Sequence, residues 1–485
     1  MNSFIPRLSY DAHKPLYIQI YEHMKTEIVS GRLPAGEKLP SLRNMAASLK
    51  LSVTTVELAY SQLAVEGYIY SREKSGYYVG NAGDILNLPP VYKAPQLRPQ
   101  AQKDHSPIEN TYADTALFDF VKWKKCLNQV INEFPSQLAR EASPEGEEAL
   151  REQIALHLYM TRGVLCSAQQ IVIAAGTQQL LNIIAGFFRQ KQIHRIACED
   201  PGYLLRADAF RQQGFQLLPT PLDREGISLS HIQKHRPRAI CVSPSNQFPS
   251  GIVMPAGKRY ALLRYAHEND CIILEDDYAS ELRYFGRPVP PVKSLDPDAP
   301  VLYLGSFSSV LFPSSKISYM VLPQQLMAQR RQILSRYNQT CSKTEQLALA
   351  LYMEKGLFQT HVKKLRKLYS QKISLAVESL KKAFGKSIRI TGRDSGLNML
   401  LEVHLGQSAD QLCQKAEEAG LRMVPYKSFC FPGHPAREAE QNTLIFYYHW
   451  IPLEQIPQAV NQLAGKWLEG KSLPARPASQ GGKTP

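Results

Sequence analysis

The chain has 485 residues, of which 44% are apolar and 21% charged, with a formal net charge of +14. That length supports two or three domains, each with its own core, and the composition excludes a disordered chain. No apolar run reaches membrane-spanning length and no signal-peptide pattern opens the chain, so a cytoplasmic protein with no membrane partner is expected; the basic excess favours polyanionic partners only weakly.

The first zone covers residues 1–80. Tyr17, Ile20, Tyr21, Met24 and Ile28 keep the spacing of one helical face, and Gly31 stops that helix. Ser41 is a good N-cap for a second helix, with Leu42, Met45, Ala46 and Leu49 inward. The turn Lys50-Leu51-Ser52 leads to a third helix, with Val56, Ala59, Tyr60 and Leu63 inward. Two short helices on a tight turn, after a supporting helix, make a helix-turn-helix. Gly67–Arg72 and Gly76–Val79 then read as two short strands, with Glu73–Gly76 as the wing between them.

DNA contacts follow from this reading. Ser52, Val53, Thr54, Thr55 and Glu57 lie on the outer side of the third helix near its start. Threonine hydroxyls suit phosphate oxygens, Val53 suits thymine methyls, and Glu57 suits a cytosine amine. Arg43, Arg72 and Lys74, with Ser75 and Gly76 in the wing turn, would hold the DNA backbone and set its salt dependence. The competing reading is a small helical domain with a solvated face, because Glu27, Glu37, Glu57, Glu66 and Glu73 offset most of the local Lys and Arg.

Residues 81–112 are rich in Pro and polar side chains without helical or strand period, which predicts a linker. From 113 to 468 short apolar runs alternate with helical patterns. The runs are Ile171–Ala175, Arg195–Cys198, Ala239–Val242, Cys271–Leu274, Val301–Leu304 and Ile317–Leu322, with helices such as Gln178–Phe187 and Lys258–Glu268 between them. Buried strands with helical crossovers make a mostly parallel α/β sheet. Long helical patterns after 355 and strands at 396–402 and 442–447 predict a smaller α+β lobe. The tail 469–485 is expected to be disordered. The eight cysteines are scattered without a CxxC pair, which predicts buried reduced thiols, not a disulfide or zinc framework, and no metal set.

Three clusters point to a phosphate-bearing ring ligand. Gly176-Thr177-Gln178 lies between a strand and a helix, where free N–H groups and a hydroxyl suit a phosphate. Asp276 ends a strand, where its carboxylate suits a protonated ring nitrogen, and Tyr278 suits a ring hydroxyl. Tyr203, in Glu199-Asp-Pro-Gly-Tyr203, is placed to cover a ring. Open α/β sheets bind ligands at these strand ends. Each cluster taken alone is a common structural feature.

The run Pro15-Leu-Tyr, Gly31-Arg-Leu-Pro-Ala-Gly-Glu-Lys-Leu-Pro-Ser-Leu-Arg43, Thr54-Thr-Val56, Glu66-Gly-Tyr68 and Ser75-Gly76 resembles the winged helix of GntR-type regulators. Family members usually carry Arg where Val53 stands. Pro144-Glu-Gly146, Glu199–Tyr203, Ser243-Pro-Ser-Asn246 through Gly251, Glu275–Glu281 and Leu304–Ser308 resemble the fold-type I aminotransferase domain of MocR/GabR-type regulators. The resemblance implies a multi-domain protein. An N-terminal winged helix-turn-helix (α+β) precedes an α/β fold-type I domain of the pyridoxal-phosphate-dependent transferase kind, with its smaller C-terminal lobe. It implies double-stranded operator DNA as partner, a head-to-tail homodimer and a small-molecule effector.

The departures lie at the chemistry. Where family members carry the Schiff-base lysine stands Ser309, and an alcohol forms no imine. The phosphate-contacting arginine is Lys316, a tyrosine near the phosphate is Glu141, and the carboxylate-gripping arginine is Ile445. With Thr177, Gln178, Tyr203, Asn246, Asp276, Tyr278, Ser309 and Lys316, the pocket is read as vestigial. No catalytic residue and no covalent cofactor is expected; pyridoxal phosphate or a related ring ligand is left to non-covalent binding. The protein is therefore read as a regulator and not an enzyme. The alternative is an active pyridoxal-phosphate-dependent aminotransferase or cofactor-responsive regulator with a substitute lysine, Lys316 or Lys427.

Overall fold

The computed structural model describes residues 14–73, 75–80, 117–286, 289–434 and 441–469. The linker, Lys74 and the tail beyond 469 lie outside the described residues. The chain divides into two compact units, Met1–Lys103 and Asp104–Pro485.

In the first unit, α1 (Leu16–Val29) lays Ile20, Met24 and Ile28 into a core with Met45, Leu49, Val56, Tyr60 and Leu63. α2 (Leu42–Leu49) starts where the Ser41 hydroxyl accepts the Asn44 N–H at 3.2 Å, and it ends on Lys50 in the left-handed region, φ 54°. α3 (Val53–Val65) is capped the same way by Ser52, which accepts from the Thr55 N–H at 3.2 Å. Each cap satisfies a first-turn donor that the helix itself leaves open. β1 (Ile69–Arg72) and β2 (Gly76–Val79) pair antiparallel, Ile69 opposite Val79, and Val79 closes the core.

The second unit is built on an eight-stranded sheet. Its strands are β3 (Ile171–Ala175), β4 (Arg195–Asp200), β5 (Gln216–Asp223), β6 (Gly226–Ile227), β7 (Ala239–Val242), β8 (Ile272–Asp276), β9 (Val301–Ser306) and β10 (Ile317–Val321), in the order β3-β10-β9-β8-β7-β4-β5-β6. β9, β8, β7, β4 and β5 run parallel; β10 is antiparallel to both of its neighbours, and β6 to β5. Both faces are covered, which is why the strands read as near-continuous apolar runs. On β3, Ile171 and Ile173 enter one core with Trp123, Leu150 and Tyr352, while Val172 and Ala174 enter the opposite core with Leu180, Ile184 and Phe188.

β5 is absent from the sequence reading because Pro219 and Pro221 interrupt it. The Gln216 N–H bonds back to His194 ahead of β4 at 2.8 Å, so the even-numbered N–H groups face β4. Both prolines therefore sit where no ladder donor to β4 is needed.

The C-terminal lobe carries β11 (Ile388–Thr391), β12 (Met399–Val403), β13 (Met423–Pro425) and β14 (Thr443–Phe446), antiparallel in the order β11-β12-β14-β13. The helices Leu357–Phe384 and Ile456–Trp467 pack on it through Ile373, Leu380, Val460 and Trp467. β12 and β14, the central strands, were legible in sequence as buried apolar runs; the edge strands β11 and β13 were not, since β11 buries only Ile388 fully and β13 has three residues. None of the eight cysteines is joined in a disulfide.

Candidate functional site

On α3, Val53, Thr54 and Glu57 are exposed, and so is Leu58, one residue further on. Ser52 is exposed and Thr55 half-buried, and both also have a structural part. The Ser52 hydroxyl caps the helix, and the Thr55 hydroxyl lies 2.8 Å from it, so the pair secures the start of α3. Arg43 is exposed on α2. On the wing, Tyr70 and Tyr78 are opposite one another in register and their rings stack at 5.8 Å. The Arg72 guanidinium lies 4.9 Å from the Tyr78 ring and 5.5 Å from the Tyr70 ring, and donates to the Tyr70 hydroxyl at 3.1 Å. Such a platform holds the charge in one orientation by cation–π attraction. The Ser75 hydroxyl is 2.6 Å from that of Tyr78, and Gly76, at φ +109°, starts β2. Lys38 approaches the Tyr78 ring at 5.9 Å. Tyr70, Tyr78 and Lys38 escaped the sequence reading, although the cross-strand tyrosines were a usable signal. Lys74 lies outside the described residues.

In the large unit, strand register sets the candidate pocket. Asp276 pairs with Leu304, Ser318 with Ser306, and Ile317 with Ala175. The C-terminal ends of β3, β8 and β9 therefore share one edge of the sheet, and Thr177, Asp276 and Ser309 follow or close those ends. Gly176, at φ +82°, turns the chain from β3 into the helix Thr177–Gln190, whose first turn has no side-chain cap. Those N–H groups remain available to an anion. Thr177 is half-buried and Gln178 exposed. Ser309 is half-buried in a turn closed by the Val310 and Leu311 N–H groups on the Phe307 carbonyl, at 3.0 and 2.8 Å. Lys316 is exposed, with φ 48°.

Tyr278 and Asn246 are joined: the Asn246 amide donates to the Tyr278 hydroxyl at 3.0 Å and accepts from the Ser395 hydroxyl at 3.0 Å. The Tyr203 ring meets Phe248 edge-on at 6.1 Å, and Phe248 meets Tyr278 at 6.3 Å and Phe429 at 4.8 Å. Ile445 is fully buried in an apolar cluster with Val424, Tyr426, Phe429 and Tyr447. Lys427 is exposed and ion-pairs with Asp410 at 2.5 Å.

One partner changes the chemistry of this edge. Arg206, 3% exposed, donates to Asp276 Oδ2 at 2.7 Å and lies 3.8 Å from Glu199 Oε2. Asp276 thus already has a cation in contact. Burial raises the pKa of Asp276, and Arg206 pulls it back. Burial pushes Glu199 up to about 7, again opposed by Arg206. Next to them, Arg162 grips Asp277 with two bonds, at 2.8 and 3.0 Å, and the Tyr303 hydroxyl donates to Asp277 at 2.5 Å. Nothing in the spacing of Arg206 links it to Asp276; the sequence reading missed it.

A winged helix-turn-helix on the same chain as an aminotransferase-type sheet is the architecture of a transcriptional regulator with an aminotransferase-like domain. The gntR family of bacterial regulatory proteins matches residues 16–79, and aminotransferase class I and II matches residues 109–437. An uncharacterized HTH-type transcriptional regulator of Bacillus subtilis, YdeL, is 35% identical over 95% of this chain and 99% of its own. The probable rhizopine catabolism regulatory protein MocR of Rhizobium meliloti is 30% identical over 99% of both chains. The pyridoxine biosynthesis regulator PdxR of Corynebacterium glutamicum is 32% identical over 77% of this chain and 81% of its own. The chain belongs to this MocR-like family of transcriptional regulators, in which a gntR-type DNA-binding domain precedes an aminotransferase-like domain. Among solved structures, the α-aminoadipate aminotransferase LysN of Thermus thermophilus shares the fold at a TM-score of 0.65, with 24% identity over 76% of this chain and 95% of that one. Among the described residues no helix is long and apolar enough to cross a membrane.

Proposed function

We propose that this regulator binds operator DNA as a head-to-tail homodimer, through residues 1–80, and that its aminotransferase-like domain, 113–468, responds to a small molecule without forming a pyridoxal-phosphate aldimine. In this reading 81–112 is the linker and 469–485 a tail. Ser309 stands where the Schiff-base lysine of relatives stands, and no amine transfer is performed.

The observation that carries the reading is the Arg206–Asp276 pair. The aminotransferase fold implies pyridoxal phosphate, and the residues present do not fit its covalent attachment, which leaves it or a related ring ligand to non-covalent binding. Its ring would bring a pyridinium to a carboxylate whose Oδ2 already accepts from a guanidinium at 2.7 Å, so Arg206 competes with the ring nitrogen for the charge of Asp276. The hydroxyl at 309 offers no imine. Lys316 is exposed and Lys427 is paired on the surface, which disfavours either as a substitute amine. The open first turn after Gly176 remains suited to an anionic group. Small anionic or neutral ring compounds are therefore the effector class that this pocket favours.

Two experiments test the reading. Incubation with pyridoxal phosphate followed by borohydride should leave no covalent adduct; an adduct mapped to Lys316 or Lys427 would overturn the non-enzymatic reading. In mobility shifts with the gene's own upstream region, Arg43→Ala and Arg72→Ala should each weaken binding and lower the salt slope by roughly one. Unchanged slopes would refute the assigned contacts.

A further inference from the structure

We propose a divalent-cation site of the zinc class formed by Asp200, Cys430 and His434. Asp200 ends β4 and is 5% exposed. Its Oδ1 accepts the Phe431 N–H at 3.0 Å, and its Oδ2 lies 2.9 Å from His434 Nδ1. The two segments are also laced by the Gly202 N–H, which donates to the Phe429 carbonyl at 3.0 Å. Cys430 completes the group: its sulfur, the Asp200 carboxylate and the His434 ring nitrogen all lie within 4.8 Å of one another. Cys430 and His434 are half-buried and share one loop, in which Gly433, at φ +83°, turns the chain.

A thiolate, an imidazole and a carboxylate are the donor set that zinc takes. Tetrahedral zinc, with bonds of about 2.0–2.3 Å, holds its ligand atoms about 3.3–3.6 Å apart. The Asp200–His434 pair is at 2.9 Å and every pair lies within 4.8 Å, so small side-chain rotations suffice. Three protein ligands leave a fourth position for water or a ligand atom. Binding displaces the Cys430 thiol proton and any proton on His434 Nδ1, so affinity falls as pH falls. The first ligand is remote in sequence from the other two, and for that reason cysteine spacing gave no hint of the set. The cation would tie the loop of the C-terminal lobe to the turn after β4, which continues through Pro201 and Gly202 into Tyr203. Occupancy would thereby fix the wall of the pocket, whatever that pocket binds. The site stands independently of the proposed absence of an aldimine.

The test uses the full-length protein, stripped with EDTA and kept reduced. Cobalt(II) should give a thiolate-to-metal absorption band, and zinc should bind at one per chain by elemental analysis after dialysis. Cys430→Ser should abolish the cobalt band. Cys430→Ser and His434→Gln should each weaken zinc binding by more than the roughly 10–100-fold that outer-shell changes cost. Far-ultraviolet dichroism checks that both variants are folded; if Cys430→Ser is not, His434→Gln carries the zinc measurement. The proposal is overturned if wild-type protein gives no cobalt–thiolate band, if zinc stays below a tenth of an equivalent, or if a folded variant binds zinc like wild type.

Discussion

Removing the Arg206 guanidinium would leave Asp276 and Glu199 facing each other without the cation that now lies 2.7 Å from one and 3.8 Å from the other. Their side chains are 13% and 1% exposed, so water replaces little of the lost interaction. Breaking a buried pair by deleting one partner costs about 3–5 kcal/mol, and for Arg206→Ala a value near the lower end is expected, because the carboxyls can take up protons. That escape gives the prediction a pH signature. Burial already holds both carboxyl pKa values above the ordinary range, and losing the arginine raises them further. A carboxyl whose folded pKa is raised keeps its proton when the unfolded chain has released it. Stability then falls as pH rises from the unfolded value towards the folded one. The variant should therefore lose about 3 kcal/mol at pH 8 and clearly less at pH 5.5. Thermal unfolding followed by near-ultraviolet dichroism reads this as a drop of roughly 4 °C at pH 8 for a unit of this size. In a double-mutant cycle with Asp276→Asn, the pair should show a coupling of about 1.5 kcal/mol or more. A loss below about 1 kcal/mol at pH 8, or equal losses at both pH values, would refute the assignment of Arg206 as the cation of this edge.

Other outcomes follow from the same geometry. Ser309→Lys alone should give no internal aldimine with pyridoxal phosphate, whereas Ser309→Lys with Arg206→Ala should give the absorption band if the arginine is the obstacle; a band in the single variant would show that it is not. Glu199, pushed up to about 7 by burial from an ordinary value near 4.5, should make wild-type stability fall by up to roughly 3 kcal/mol between pH 4.5 and 7. Glu199→Gln should remove that share of the slope, leaving the share of Glu275, which burial also raises to about 7; an unchanged profile in denaturant titrations would contradict this. Tyr78→Ala should weaken DNA binding about as much as Arg72→Ala, because the guanidinium rests on that ring 4.9 Å away. Wild-type affinity in the Tyr78 variant would show that the platform is not used.

The order of elements and the identity of most buried faces were legible in the chain itself. The spacing Val56, Ala59, Tyr60, Leu63 is the buried stripe of α3, and the runs from Ile171–Ala175 to Ile317–Val321 are strands of one sheet. Such patterns are local, and a period of 3.6 or a continuous apolar run carries them without knowledge of the fold. Thr177 and Asp276 were legible for a related reason: each closes or follows a strand, and strand ends in such sheets converge; Ser309 stood out only through the motif resemblance.

What the chain could not display were pairings between distant segments. Arg206 reads as one more charge on the helix Leu204–Gln212 until β4 and β8 place Glu199 and Asp276 beside it. Cys430 and His434 read as loop residues until the end of β4 brings Asp200 to them. Ser52 and Thr55 read as two free hydroxyls until the start of α3 turns one onto the other. The sequence by itself determined a helix-turn-helix followed by a mostly parallel α/β sheet, because periodicity and turn chemistry act over a few residues, while the motif resemblance supplied the aminotransferase-like kind of that sheet. Only the tertiary structure decided that Asp276 already has its cation, because charge pairing acts through space and is blind to the seventy positions that separate Arg206 from Asp276.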